Sequence, residues 1–386
     1  MRYSGLWLWG YDDHHITVET GDDGKILRMT HHVGEPYNEV DDFQGFITPG
    51  FIDTHIHGCF GYDTSDGEVD GIVEMAKGLA RIGVAAFCPT TMTISEDKLW
   101  KSAESVAKAK EILKNVRTPH AEIIGLHLEG PVLNPLMCGV QDSSASMTPS
   151  QGLEFVRACE ARFPGLIKMI DISPELDGAL EVIKELSGSY VISLAHTKAD
   201  YEIARQAFLN GASGVTHALN AMDPILKRST GVLGSAIDNE AYIEVISDLH
   251  HIDGAMLKLL YSNVFDKKVV TISDSMRGAM MPDGRYDLGG TMVDVENGRT
   301  YFGDSRGLAG SVSNLKEEFE KLNSIGIDPL QILMSVTINP LNRLREASNP
   351  NLPGVLDVGR PATFNIFDKN AKMVAVVNNG IILEEV

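Results

Sequence analysis

The sequence predicts an α/β protein, namely a (β/α)8 TIM-type barrel with a small β-sandwich domain built from both termini. Three observations lead to this prediction. Short apolar runs alternate with helix-like segments through the middle of the chain, both ends contain short strand-like runs, and histidines or carboxylates follow several of the apolar runs. In a parallel α/β barrel, functional residues collect where strands end and loops begin.

Eight near-continuous apolar runs predict the barrel strands, because parallel strands are buried on both faces. They span 51–57, 84–90, 121–129, 166–173, 190–196, 214–217, 242–248 and 268–274. Helical patterns lie between them at 68–82, 96–115, 150–162, 176–187, 199–210 and 252–264. Repeated strand–helix units of this kind favour a barrel. A doubly wound sheet is the alternative, but no GxGxxG turn follows an early strand.

Both ends of the chain contain short runs that are typical of β-strands. The runs GLWLWG, HITVET and GKILRM lie near the start, and ATFNIFD, KMVAVV and IILEE near the end, with turn signals at 21–24 and 378–380. We therefore predict a discontinuous β-domain over 1–48 and 349–386, and a catalytic barrel over 49–348. The Gly-, Asp- and Arg-rich segment 275–310 is too long for a simple connection, which favours a lid or an inserted hairpin.

Composition excludes several classes of partner and site. The formal net charge of -20 argues against nucleic acid and against anionic membrane as general partners. The four cysteines form no CxxC pair, so we expect reduced thiols rather than a structural zinc site. The N-terminal segment turns polar too soon for a signal peptide, and no apolar run reaches the ~20 residues of a membrane span. These features predict a cytoplasmic location.

Histidines and one glutamate have the arrangement of a metal site. His55 and His57 are two residues apart on a strand and so share one face. Glu129, His196 and His217 each end a later strand, and two histidines with a carboxylate are a known catalytic zinc set. Each residue alone is more simply a satisfied core or rim side chain. Taken jointly, they favour a metal.

Asp274 ends the eighth predicted strand and is the candidate general acid and base. A carboxylate there can take a proton from an activated water and return it to a leaving nitrogen. The simpler interpretation is a helix N-cap, a role suited to Asp. Asp248, at the end of the seventh strand, is a weaker rival. The predicted reaction is hydrolysis of an amide or related C–N bond.

Polar residues near these strand ends are candidates for substrate contacts. Asn220 and Ala221 lie just after His217, and His251 follows the seventh strand. Arg228 is a candidate phosphate clamp, since guanidinium pairs bidentately with phosphate. A solvated loop charge beside Lys227 is the alternative interpretation of Arg228.

The ordered motifs resemble those of the N-acetylglucosamine-6-phosphate deacetylases in the amidohydrolase superfamily. The segments that carry the resemblance are ITPGFIDTHIHG, GLHLEGPVLNP, LAHTKA, THALNAM, ISDSM and GLAGS, and they cover nearly the whole chain. The resemblance implies hydrolysis of the N-acetyl group to acetate and glucosamine 6-phosphate. It also implies one or two divalent ions per subunit, with zinc as the first expectation and iron, manganese or cobalt as others.

The resemblance further implies a role for each matching residue. The principal metal ligands match Glu129, His196 and His217, and a second metal site matches His55 and His57. Asp274 matches the catalytic acid and base, and His251 matches a histidine near the scissile carbonyl. The sugar-phosphate contacts match Asn220, Ala221 and Arg228. In relatives the arginine reaches across a dimer interface, which implies a homodimer.

Two departures from the family pattern lie at the substrate side. Gln141 stands where relatives have a substrate-contacting histidine, and Ser229-Thr230 follows Arg228 where relatives favour Glu-Pro. They leave open a related amidohydrolase that acts on another N-acyl compound, such as N-acetylgalactosamine 6-phosphate, an unphosphorylated amino sugar or an N-acyl amino acid. A non-catalytic barrel that binds sugar phosphate is the remaining alternative, although every metal-ligand position is intact.

Overall fold

The structure is a computed structural model that describes residues 1–7, 14–33, 42–262, 268–304 and 306–384. Three predicted elements extend beyond these residues. The last three residues of GLWLWG, the last two of the helix predicted over 252–264 and the last one of IILEE lie outside the described residues.

The elements alternate between strand and helix through the middle of the chain. The strands are β1 (Arg2–Trp7), β2 (His14–Thr20), β3 (Ile26–Val33), β4 (Asp42–Pro49), β5 (Phe51–Ile56), β6 (Gly58–Cys59), β7 (Tyr62–Asp63), β8 (Val84–Thr91), β9 (Glu122–Ile123), β10 (Leu126–Val132), β11 (Ile167–Ile172), β12 (Val191–Leu194), β13 (Gly214–Val215), β14 (Tyr242–Ile246), β15 (Val269–Ile272), β16 (Gly284–Leu288), β17 (Thr291–Glu296), β18 (Arg299–Tyr301), β19 (Phe364–Asp368), β20 (Met373–Asn378) and β21 (Ile381–Glu384). The helices are α1 (Val69–Arg81), α2 (Glu96–Leu113), α3 (Pro149–Arg162), α4 (Ala179–Leu186), α5 (Tyr201–Leu209), α6 (Gly231–Asp238), α7 (Gly254–Leu260), α8 (Leu315–Ser324), α9 (Pro329–Val336) and α10 (Ile338–Arg343).

Eight parallel strands form the barrel in sequence order, β5-β8-β10-β11-β12-β13-β14-β15. The first and last strands meet, because the backbone N–H of Asp274 donates to the carbonyl of His55 at 2.9 Å. A helix follows each strand, and two of these helices, α6 and α8, were not predicted from the sequence pattern. The predicted fold class is confirmed, since each predicted apolar run overlaps one barrel strand.

Strands from both ends of the chain form a second sheet of seven strands, in the order β21-β20-β19-β4-β1-β2-β3. The strand β4 lies between β19 and β1, so the N-terminal and C-terminal segments depend on each other for hydrogen bonds. Tyr3 packs edge-on against Phe364 with ring centroids 5.2 Å apart. This sheet is the strand-rich domain that the terminal composition predicts. The exact domain limits at 48 and 349 stay a prediction.

Phe51 joins the barrel to this sheet. Its ring is fully buried and lies 5.6 Å from that of Phe319 on α8 and 6.2 Å from that of Phe367 on β19. We expect Phe51→Ala to lower the free energy of unfolding by about 3–5 kcal/mol, because truncating a buried aromatic ring leaves a cavity. Chemical denaturation measures this change. Leu27→Ala, at a position 60% exposed, is the control and should change stability by less than about 0.5 kcal/mol.

The segment 275–310 forms an antiparallel sheet of three strands, β16-β17-β18, after the last barrel strand. Arg277 anchors it: its Nε donates to the Asp287 carbonyl at 2.7 Å, and its Nη2 donates to Asp66 Oδ1 at 2.7 Å. The insertion is thereby attached to the loop after β5, on the side of the barrel where the strands end. Its position there agrees with the inserted hairpin that was one of the two expectations for this segment.

The composition led to expectations about the cysteines and about membrane spans. All four cysteines are buried free thiols. Among the described residues, no helix is both long enough and apolar enough to cross a bilayer.

Candidate metal centre and substrate cavity

The predicted metal-binding and acid–base residues lie at one end of the barrel. His55 belongs to β5 and Glu129 to β10, while His196, His217 and Asp274 each follow their strand by two residues. Those three residues have positive φ angles of 46°, 30° and 47°. Non-glycine residues in this region cost roughly 1–3 kcal/mol each and cluster at functional sites. The strained backbone turns each side chain inward at the strand end.

Glu129 is the centre of the first cluster. Its Oε1 lies 3.1 Å from His196 Nε2 and 3.0 Å from His217 Nε2. All three side chains are buried, and their ligand atoms lie within 4.8 Å of one another. One carboxylate oxygen and two imidazole nitrogens at this spacing suit a divalent ion with an open position.

The second cluster lies directly beside the first. Asp274 Oδ1 is 3.4 Å from His55 Nε2 and 3.2 Å from His57 Nε2. Glu129 joins the two clusters, since its Oε1 lies 3.7 Å from His55 Nε2 and its Oε2 lies 3.4 Å from His57 Nε2. Six predicted residues therefore converge on one small volume.

The histidine orientations fit metal binding through Nε2. The Nδ1 of His57 lies 3.2 Å from the Thr90 carbonyl, and the Nδ1 of His196 lies 2.8 Å from the Met137 carbonyl. A proton on Nδ1 satisfies each carbonyl and leaves the Nε2 lone pair directed at the cluster. Such partners on the far nitrogen are typical of metal-binding histidines.

The electrostatics of the cluster also favour a cation. Burial raises the pKa of Glu129, but hydrogen bonds from His196 and His217 outweigh burial and hold that pKa well below its usual value. Burial lowers the pKa of His57 and His217, yet their carboxylate partners raise both to about 9. Burial likewise opposes ionisation of Asp274, but His55 and His57 outweigh it and lower its pKa. Protons thus gather where a divalent ion can replace them, since metal binding displaces protons from its ligands.

A cavity of about 500 Å³ opens over the cluster. Its wall includes the predicted residues His57, Glu129, Gln141, Asn220, Ala221, His251 and Asp274. The insertion contributes Leu288, and the segment 308–310 just after β18 completes that side. This volume is typical of a small-molecule site.

Gln141 contacts the Glu129 cluster directly. Its side-chain Nε2 donates to Glu129 Oε2, and its Oε1 accepts the backbone N–H of Thr93 at 2.6 Å. The sequence predicts only a substrate contact at this position. In the structure, the amide both lines the cavity and holds Glu129.

His251 lies at the cavity with Asp248 behind it. The Nδ1 of His251 is 2.8 Å from Asp248 Oδ2, and Asp248 Oδ1 accepts the backbone N–H groups of His250 and His251 at 2.8 and 2.9 Å. These bonds outweigh burial and lower the pKa of Asp248 to about 2. Asp248, the weaker candidate for the acid and base, is therefore engaged with His251 and does not line the cavity.

Arg228 is not brought to the cavity of its own chain. It is exposed in a tight turn, in which Leu226 and Ser229 exchange backbone hydrogen bonds at 2.9 and 3.0 Å. The neighbouring Ile225 and Leu226 are also exposed. This apolar and cationic segment is therefore exposed to solvent and does not line the cavity of its own chain.

Charged residues deep in the barrel were missed by the sequence analysis. Glu244 on β14 pairs with Arg343 on α10, and both are fully buried. The Nε2 of His127 lies 3.1 Å from Asp171 Oδ2 on β11. The sequence does contain a signal for two of them, because Glu244 in YIEVI and Asp171 in IKMIDI are carboxylates inside otherwise apolar strands.

Comparisons with known proteins agree with this architecture. The Amidohydrolase family model matches residues 46–384. A Bacillus subtilis (strain 168) protein named N-acetylglucosamine-6-phosphate deacetylase is 30% identical over 93% of this chain and 90% of its own length. An Escherichia coli O157:H7 protein named N-acetylgalactosamine-6-phosphate deacetylase is 29% identical over 98% of this chain and 94% of its own length.

A solved structure shares the whole fold. The N-acetyl-D-glucosamine-6-phosphate deacetylase from Mycobacterium smegmatis, in complex with N-acetyl-D-glucosamine-6-phosphate, has a TM-score of 0.86 at 24% identity and covers 100% of both chains. Together with the sequence matches over nearly the full length, this likeness agrees with the motifs and with the barrel. The chain therefore belongs to the amidohydrolase family, and within it to the N-acetylglucosamine-6-phosphate deacetylases.

Proposed function

We propose that the protein is a metal-dependent hydrolase that removes the N-acetyl group of N-acetylglucosamine 6-phosphate, with acetate and glucosamine 6-phosphate as products. The observation that carries this proposal is the convergence of Glu129, His196, His217 and Asp274 at one cavity. Relatives that match most of the chain are named for this reaction.

Glu129, His196 and His217 would hold one divalent ion, and His55, His57 and Asp274 a second. Such an ion lowers the pKa of water toward ~7 and polarises a carbonyl. We propose zinc as the native ion, because imidazole and carboxylate ligands suit it. Iron, manganese and cobalt accept the same ligands, and metal analysis of the purified protein distinguishes them.

Two side chains would handle protons and charge during hydrolysis. Asp274 lines the cavity with a lowered pKa, so it can accept a proton from the attacking water. It then gives that proton to the amine nitrogen as the C–N bond breaks. His251 would donate a hydrogen bond to the carbonyl oxygen, and the Asp248 carboxylate behind it would fix the orientation of the ring.

The sugar substrate would lie against the segment after β13. Asn220 and Ala221 line the cavity, and the Asn220 side chain is held by a 3.1 Å hydrogen bond from its Nδ2 to the His217 carbonyl. This hydrogen bond ties Asn220, a proposed sugar contact, to His217, a proposed metal ligand. We place N-acetylglucosamine 6-phosphate ahead of N-acetylgalactosamine 6-phosphate, because several relatives carry the former name.

The direct test is acetate release by metal-analysed protein from N-acetylglucosamine 6-phosphate, N-acetylgalactosamine 6-phosphate and N-acetylglucosamine. We expect the first to be hydrolysed with the highest kcat/KM. Greater turnover of the galacto-configured phosphate would replace the proposed substrate with its epimer. Equal turnover of the unphosphorylated sugar would remove phosphate from the proposal.

We also propose that the protein is a homodimer in which Arg228 binds the substrate phosphate in the partner's cavity. The exposed turn beside Ile225 and Leu226, outside its own cavity, supports this arrangement. Arg228→Ala should raise KM for the phosphorylated sugar roughly 10- to 100-fold, the effect of losing a hydrogen bond to a charged group. Lys227→Ala, at the adjacent exposed position, is the matched control and should change KM little.

A mixing experiment tests whether Arg228 acts across subunits. Arg228→Ala protein and Asp274→Asn protein are dissociated together and reassembled. In a mixed dimer, the chain with an intact Asp274 would receive Arg228 from its partner, so activity at low substrate should rise above that of either variant alone. If the activity of the mixture equals the sum of the activities of the two variants, the result argues against the arrangement. A monomeric mass by light scattering would also argue against it.

A further inference from the structure

His55 differs from His57 and His196 in what its second nitrogen faces. The Nδ1 atoms of His57 and His196 lie against backbone carbonyls. The Nδ1 of His55 instead faces a carboxylate, Glu244 Oε2, at 3.7 Å. Both atoms are buried and have no hydrogen-bond partner among the described residues. The ring therefore lies between the metal centre on one edge and a buried anion on the other.

The tautomer of His55 decides whether it can bind an ion. Its Nε2 lies 3.4 Å from both Asp274 Oδ1 and His57 Nε2, which directs this nitrogen at the proposed second metal site. To offer a lone pair there, the neutral ring must carry its proton on Nδ1. A carboxylate opposite Nδ1 stabilises that proton, orients the ring and raises the basicity of Nε2.

Glu244 is itself held in place by a dedicated set of contacts. Its Oε1 pairs with Arg343 Nη1 and accepts the Thr54 hydroxyl at 3.2 Å, which leaves Oε2 for His55. Arg343 in turn donates from Nη2 to Ser193 Oγ at 2.7 Å. A carboxylate buried in a barrel is costly without such a partner.

Gly214 on β13, the strand next to β14, leaves room for the Arg343 guanidinium. A Cβ at Gly214 on β13 would lie 2.7 Å from Arg343 Nη2 and 3.0 Å from its Cζ and Nε. Arg343 comes from α10, beyond the eighth strand, and reaches the barrel interior through this space. Since any side chain at position 214 would displace the guanidinium, the glycine is part of the arrangement.

We propose that Glu244, fixed by Arg343, is a positioning residue that keeps His55 protonated on Nδ1 and so sets the ion affinity of the His55–His57–Asp274 site. This inference rests on the proposed function, because it assumes that an ion binds there. Glu244 acts only through His55 and does not line the substrate cavity.

The test measures metal binding rather than turnover. Metal-free wild-type and Glu244→Gln proteins are titrated with Zn²⁺ against a competing chelator, and with Co²⁺ by absorption spectroscopy. The wild type should bind two ions. The Glu244→Gln variant should bind one of them about 10- to 100-fold more weakly, the usual effect of losing such a partner, and the other with unchanged affinity. The Co²⁺ spectrum of the weakened site should change accordingly.

Two further variants separate positioning from general destabilisation. Glu318→Gln alters a carboxyl group that is equally buried but accepts the backbone N–H of Ser247 at 3.0 Å, and it should keep both affinities. Gly214→Ala displaces Arg343 without altering either Glu244 or His55, and it should weaken the same ion as Glu244→Gln does. Circular dichroism measures whether each variant is folded. If Glu244→Gln does not fold, Gly214→Ala still tests the inference.

The outcomes distinguish this inference from the proposed function. Wild-type affinity for both ions in folded Glu244→Gln, or an equal loss in Glu318→Gln, overturns the role of Glu244. A wild type that deacetylates with one ion, bound only by the Glu129 cluster, also overturns it but leaves the proposed function standing. A wild type that binds no ion overturns both.

Discussion

Asp274→Asn is expected to lower kcat for deacetylation roughly 100- to 10,000-fold, the range for loss of a general acid and base. The asparagine amide fills the same space in the cavity wall but cannot accept the proton of the attacking water. Steady-state kinetics with N-acetylglucosamine 6-phosphate measure the change. KM should move much less than kcat, because the substituted group acts on the reacting atoms rather than on the sugar.

Metal content must be measured in the same preparation, since Asp274 also lies 3.2 Å from His57 Nε2. A fall in kcat can be assigned to the lost acid and base only if the Glu129 cluster of the variant still binds its ion. Asp63→Asn is a matched control, because Asp63 is buried near His57 without lining the cavity. We expect it to reduce kcat less than tenfold. A fully loaded Asp274→Asn protein with wild-type kcat would show that another group transfers the proton.

Glu129→Gln is expected to remove the ion that Glu129 shares with His196 and His217. The carboxylate is the common neighbour of four histidines, and the substitution leaves their charges without an anion between them. Breaking a buried charge pair costs about 3–5 kcal/mol, which is roughly a 100- to 5,000-fold loss of ion affinity. Metal analysis after gel filtration and reactivation by added Zn²⁺ measure the loss.

Gln141→Ala provides the comparison for Glu129→Gln. It removes the amide that donates to Glu129 Oε2 but leaves the negative charge in place. Ion affinity should then fall by about tenfold or less, the worth of one hydrogen bond to a charged group. Wild-type ion content in Glu129→Gln at submicromolar free Zn²⁺ would contradict the proposed ligand set.

The barrel and the convergence of the proposed metal-binding residues could be predicted because they depend on local patterns. Strands buried on both faces are continuous apolar runs, and each such run was visible without knowledge of its neighbours. Because the ends of parallel strands meet at one face of a barrel, residues as distant as His55 and Asp274 could be expected to lie together. Helices α6, α8, α9 and α10 were not predicted. For α6 the pattern is weak, because its first residues, Gly231-Val-Leu-Gly234, contain two glycines and no polar face, and the side chain of the N-cap residue Thr230 makes no capping hydrogen bond.

Substrate contacts and partner groups depend on long-range packing, which no local pattern reports. Gln141 was expected to face a substrate, and it also donates to Glu129. Arg228 was expected to bind phosphate, and the structure leaves it exposed in a turn that does not line the cavity of its own chain. Loop geometry decides both, because it determines which side chains can reach a common point.

By itself, the sequence determined the fold class and the set of residues that meet at the metal centre, since periodicity and strand ends are properties of short segments. The tertiary structure alone decided how the buried charges are paired. Glu244 and Arg343 are 99 residues apart in number, and their pairing needs the space beside Gly214 that exists only in the closed barrel. Charge burial is tolerated only where a partner and room for it coincide, and that coincidence is a property of the folded chain.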